Sequence, residues 1–96
     1  MATYQVLCWQ EIPSVVEARD EKGAHKEQLS QKFQALIDLA AMQRKLGGTD
    51  AYLEQWNKTP KQERPGSAID VAKQVADEFE TSFPKIRAEA LKQVNE

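Results

Sequence analysis

The most reactive side chains in the sequence are one cysteine, Cys8, and one histidine, His25. Held within hydrogen-bond reach, a thiol and an imidazole would form a nucleophile–base pair, with the thiolate stabilised by the ring. Cys8 falls in an apolar stretch and His25 in the charged run Ala24-His25-Lys26-Glu27, and no spacing signal brings them together. One Cys and one His are also too few ligands for a protein-built zinc site. No G-x-S-x-G, H-E-x-x-H, Walker or G-x-G-x-x-G pattern occurs. Asp20/Glu21 and Glu78/Glu80 read as solvated charge, because acid–base work needs two carboxyls flanking a pocket. The expectation is a non-enzymatic protein with no catalytic residues, no metal and no cofactor.

Two other groupings point to binding. Trp9, Tyr52 and Trp56 fall on segments that read as strands, and on a shared sheet face they would form an aromatic platform. Such a platform could stack on a planar ligand or take a partner's apolar side chains, although aromatics of this kind also build small cores. The second grouping is Arg64-Pro65-Gly66-Ser67, which delivers a guanidinium and the free N–H groups of a helix start to one spot. That combination can hold an anion. The plainer alternative is an ordinary helix cap with a solvated arginine. Trp9, Tyr52, Trp56, Arg64, Gly66 and Ser67 are therefore the candidate binding residues.

The elements that must position them follow from periodicity. Thr3 to Gln10 reads as a strand with apolar residues on both faces, so it belongs inside a sheet. Ile12-Pro13 should interrupt the ladder, since proline lacks an N–H, and Ser14 to Arg19 gives a second strand. Asp20-Glu21-Lys22-Gly23 is a turn by composition. Ser30 to Leu46 reads as a helix with Ser30 as N-cap and Phe33, Leu36, Ile37 and Ala40 as its core stripe. Gly47-Gly48 would supply its left-handed C-terminal residue. Leu39 and Met42 lie off that stripe and could contact a loop or a second copy of the chain.

Asp50 to Lys58 reads as a third strand, and Thr59 to Gly66 as a polar loop. Ser67-Ala68-Ile69-Asp70 resembles a capping box opening a helix that buries Ala68, Val71, Ala72, Val75 and Phe79. Pro84 should stop or kink that helix and begin a helical extension over residues 84–96. The order β-β-α-β-α predicts an α+β two-layer sandwich, a small and mainly antiparallel sheet with helices on one face.

Composition sets the outer bounds. The chain has 96 residues, 41% hydrophobic and 29% charged, with 13 Lys+Arg against 15 Asp+Glu and a formal charge of −2. This suits one small domain. No apolar run is long enough for a membrane span, and the first residues do not resemble a secretory signal. With a lone cysteine, the expected location is cytoplasmic. The charge balance argues against nucleic acid as a partner.

The residues also resemble those of a known family. Tyr4-Gln5-Val6-Leu7-Cys8-Trp9 with Ile12-Pro13, then Phe33-Gln34, Ile37-Asp38 and Ala40-Ala41-Met42, are similar to the small bacterial virulence factor domain family. The most specific stretch is Gly48-Thr49-Asp50-Ala51-Tyr52-Leu53-Glu54-Gln55-Trp56, followed by Glu63-Arg64-Pro65-Gly66-Ser67. Near the end of the first strand, where relatives carry an aromatic, this chain has Cys8. The resemblance spans residues 3–87 and implies association with virulence, but no reaction and no catalytic residues. Domains of this kind are also joined to larger proteins such as conserved virulence factor C, an adaptor-like use.

Three functions remain open from sequence. The first is a protein-interaction module using the face or rim of Trp9, Tyr52, Trp56 and Arg64; homodimerisation through Leu39 and Met42 or an open sheet edge could accompany this function or either of the others. The second is an accessory protein that handles a small molecule or cofactor, with an anionic group at Arg64–Ser67. The third is an enzyme, which would need Cys8 or His25 in a cleft.

Overall fold

The computed structural model describes residues 1–46 and 50–92. Its elements are β1 (Ala2–Trp9), β2 (Ile12–Asp20), β3 (Gly23–Gln28), α1 (Gln31–Gln43), α2 (Asp50–Glu54), β4 (Trp56–Lys58), β5 (Gln62–Arg64) and α3 (Ala68–Lys92). The strands form one antiparallel sheet in the order β3-β2-β1-β4, with β5 also paired to β1. The fold is α+β, with α3 against β1, β2 and β3 and α1 against β2 and alongside α3.

Alternation in the strands decides which face is covered. Ala2, Val6, Val16 and Ala18 are buried. Their alternates Thr3, Gln5, Glu17 and Arg19 remain half or fully exposed. Cross-strand partners share a face, so Val6 opposite Val16 continues the buried row from β1 to β2. The helices cover that row with Phe33, Leu36, Ile37, Ala40 and Ala41 from α1, and with Ala68, Val71, Ala72, Val75, Ala76 and Ala90 from α3. Phe33 and Phe83 close the helix–helix seam edge to face, their centroids 4.9 Å apart.

Several elements differ from the sequence reading. The segment read as a third strand, Asp50 to Lys58, divides into the short helix α2 and the three-residue strand β4. The charged run around His25 is a six-residue edge strand, β3, and part of the expected polar loop is β5. Pro13 does not precede β2 but sits inside it, beside a bulge. Leu7 faces Val15 and Cys8 faces Pro13, which leaves Ser14 as the extra residue. Its carbonyl accepts the Leu29 N–H at 2.9 Å.

A second bulge lies on the other side of β1. Tyr4 faces Gln62 and Leu7 faces Lys58, so two residues of β1 oppose Thr59, Pro60 and Lys61. Pro60 is accommodated because a bulge needs no ladder donor there. Thr59 satisfies both backbone groups of Val6, donating its N–H to the carbonyl at 3.0 Å and accepting the Val6 N–H on Oγ1 at 2.9 Å.

The helix ends also have their own solutions. Gly47 and Gly48 lie outside the described residues, and the left-handed position after α1 is taken by Lys45, at φ 61°. The Leu46 N–H reaches the Ala41 carbonyl and the Lys45 N–H reaches that of Met42, the two bonds of a Schellman closure. Ser30 is the N-cap of α1, but its hydroxyl donates to Glu80 rather than capping its own helix. Pro84 neither stops α3 nor begins a new helix, because α3 continues through it. The extension read over 84–96 is part of α3 as far as Lys92, and its last residues lie outside those described.

Thr59→Val should leave the Val6 N–H without its acceptor and cost about 1–3 kcal/mol in urea unfolding. Thr59→Ser should retain most of that stability. Hydrogen exchange at the Val6 amide should quicken in the first variant and not in the second.

Candidate functional site

The corner around Trp9 is built by three chain segments. The β1–β2 turn places Gln10 at φ 51°, an uncommon conformation for a residue with a Cβ. Gln55 holds it there, accepting the Gln10 N–H and side-chain amide on its backbone and side-chain oxygens, both at 2.9 Å. Arg44, just past α1, donates to the Gln10 side-chain oxygen, to Glu11 at 2.8 Å and to the Ala90 carbonyl at 2.9 Å. One guanidinium thus ties the hairpin turn, the end of α1 and α3 together. Nothing local in the sequence announces that role for Arg44.

Trp9 is fully buried, the largest side chain in the core. It is therefore not part of an exposed platform, which corrects the expectation from sequence. Its indole N–H donates to the Tyr52 carbonyl at 2.9 Å, and the two rings lie 5.5 Å apart. Arg44 stands 5.9 Å over the indole ring. The burial arises because α2 lies where a continuous strand was expected, placing Tyr52 over Trp9 instead of beside it.

Tyr52 and Trp56 are half-buried and meet edge to face, with centroids 6.3 Å apart at 87°. Between them in sequence, Leu53 is 65% exposed. Of the residues off the α1 stripe, Met42 is 72% exposed, whereas Leu39 is half-buried.

The Arg64 loop is geometrically distinct from this corner. Arg64 makes a two-pronged ion pair with Glu78, at 2.6 and 2.8 Å, and its guanidinium lies 5.4 Å over the Tyr4 ring. The Glu78 carboxylate raises the Arg64 pKa still further, and Arg64 in turn holds Glu78 below the usual carboxylate range. Gly66 adopts φ +123°, a conformation strained for any side-chain-bearing residue, so the turn into α3 requires glycine. Ser67 Oγ accepts the Asp70 N–H at 3.2 Å, as a capping serine should. The first amide of the helix, at Ala68, is bound by Asp20 at 2.7 Å. The groups that could hold an external anion here already hold the protein's own carboxylates.

Three carboxylates read from sequence as solvated are structural. Asp20 accepts the N–H groups of Ala68, Lys22 and Gly23, which hold its carboxyl below its ordinary pKa. Its turn was legible from Asp-x-x-Gly, but its long-range partner was not. Partial desolvation pushes Glu80 upward, but the Ser30 N–H and hydroxyl, each at 2.8 Å, and Lys32 outweigh it and lower the net value.

Cys8 and His25 are not brought together. Burial pushes the Cys8 thiol up to about 11, so it is protonated at neutral pH, and its closest recorded partner is the Val6 carbonyl. The His25 ring contacts Glu27 at 3.0 Å.

The fold and these sites define a small α+β domain in which Cys8 is buried, His25 is paired with Glu27, and Arg64 is paired with Glu78. The chain belongs to the virulence factor family, whose model matches residues 7–91. No match of significance was found among curated proteins or among solved structures. Among the described residues, no helix is long and apolar enough to cross a membrane.

Trp9→Ala should cost about 3–5 kcal/mol, because it removes a large buried ring and leaves the Tyr52 carbonyl only the longer bond from the Gln55 N–H, at 3.3 Å. Denaturant unfolding followed by circular dichroism measures this. Asp20, Glu78 and Glu80 all have lowered folded-state pKa values, so the unfolded chain binds more protons in acid. Their stabilisation should be complete at neutral pH and should decline as pH falls through about 4 and below. An Asp20→Asn/Glu78→Gln variant should show a shallower acid limb in a plot of melting temperature against pH.

Proposed function

We propose that this domain is a non-enzymatic interaction module that docks a partner protein through the corner of Tyr52, Leu53 and Trp56. The observation that carries this reading is that α2 buries none of its residues although it presents Tyr52 and Leu53. Half-exposed aromatics beside an exposed leucine have the composition of an interface anchor. The corner is also preorganised. Trp9 holds the Tyr52 carbonyl from below, and Gln10 holds Gln55 at the far end of the segment. A partner would therefore meet a surface whose backbone is already ordered, which limits the entropic cost of docking. A cytoplasmic location is consistent with the free, buried thiol of Cys8.

Leu53 is the best probe, because Tyr52 and Trp56 also support the core and their loss would disturb it. Leu53→Asp should leave the thermal melt close to that of the parent protein. In affinity capture from the native cell extract, it should lose the partners retained by wild type and by a Lys73→Glu control on the exposed side of α3. An identical capture profile for all three proteins would reject this corner as the contact surface.

A further inference from the structure

The face of the sheet away from α3 carries a separate surface with its own chemistry. A concavity of about 490 Å³ is lined there by Thr3, Gln5, Glu17, Arg19, Lys26, Lys58 and Lys61, among others. The register explains the grouping. Gln5 faces Glu17, which faces Lys26, and Leu7 faces Lys58 in the next row. Four cations drawn from β2, β3, β4 and the Pro60 bulge thus surround one lining carboxylate, Glu17, and a second, Glu63, stands opposite Thr3 at the margin of the same face. Glu17 pairs with Lys58 at 3.2 Å.

We propose that this face docks an acidic, extended segment of a partner protein. The proposal rests on the reading of the domain as an interaction module but not on the Tyr52–Trp56 corner. Charge complementarity selects an anionic occupant, and spacing selects an extended one. Lys26 on β3 and Lys61, which follows the Tyr4–Gln62 pair and lies opposite Gln5, are three strand intervals apart, about 14 Å. Residues i and i+4 of an extended chain are separated by about 13 Å, so alternate carboxylates would span the cations. The lining disfavours nucleic acid. It contains no Phe, Tyr or Trp on which a base could stack, and its imidazole, His25, is engaged by Glu27. Glu17 stands among the cations in the place of an incoming carboxylate and opposes it.

The test uses the purified full chain and a fluorescein-labelled peptide of alternating glutamate and serine, about ten residues long. Fluorescence anisotropy at low salt should show binding that weakens as salt is raised. Lys26→Glu/Lys61→Glu, two exposed positions, should weaken it at least about tenfold, whereas Glu17→Gln should tighten it. Lys73→Glu on α3 should leave it unchanged, and Leu53→Asp likewise, which separates this surface from the aromatic corner. The proposal is overturned by absent binding, by equal weakening in Lys73→Glu, or by a labelled oligothymidylate binding as tightly as the peptide.

Discussion

A single carboxylate holds the sheet and its covering helix in position relative to each other. Asp20 ends β2, turns the chain into β3 through the Lys22 and Gly23 amides, and accepts the first N–H of α3. The rest of α3 is then located by two more carboxylates, Glu78 on Arg64 of β5 and Glu80 on Ser30 at the start of α1. Each contact is largely solvent-facing, and such pairs contribute little individually. The stabilising force is the apolar stripe of Ala68, Val71, Ala72 and Val75, which is non-directional and would tolerate small slides along the sheet. Directional bonds at the helix start and near its middle remove that freedom. Burial supplies the energy and the carboxylates supply the register.

The sequence was legible where one face of an element is buried. β1, β2, α1 and the first half of α3 show their periods because burial imposes them, and the α+β class follows. β3 was not legible, since an edge strand with Lys26, Glu27 and Gln28 has little apolar alternation to display. At five residues, α2 is too short to express a helical period, and Tyr52 and Leu53 favour the strand reading. Pro84 lies on the exposed side of α3, where the Glu80 carbonyl that loses its donor can turn to water, so the helix survives it. The candidate site was half legible. Tyr52 and Trp56 do meet at a surface, but Trp9 lies beneath them, and no local pattern reveals the depth of a side chain. Asp20, Arg44, Glu78 and Glu80 act across more than a dozen residues of sequence, which explains why they read as ordinary charge.

The prolines of the sheet explain which parts of it remain open. Pro13 lies beside the bulge at Ser14 and Pro60 within the bulge opposite Gln5 and Val6, so both neighbours of β1 change register against it. The Pro60 bulge divides one edge into two three-residue strands, and short, interrupted edges resist pairing with another chain. The same bulge sends Lys61 toward the face away from α3, beside Lys58. A feature that weakens the edge for strand pairing therefore adds a cation to the face.

That face also changes the meaning of the net charge. A formal charge of −2 argues against an anionic partner only if the partner senses the whole molecule. The shortest dimension of the domain is 20 Å. At physiological ionic strength exposed charges are screened over about 8 Å. The sheet face carries Arg19, Lys26, Lys58 and Lys61 against Glu17 and Glu63, while Asp70, Asp77 and Glu78 on α3 lie across the helical layer. Strand alternation sorts the charges by face, and solvent keeps the two populations from cancelling. The near-neutral sum is the average of two surfaces that act separately.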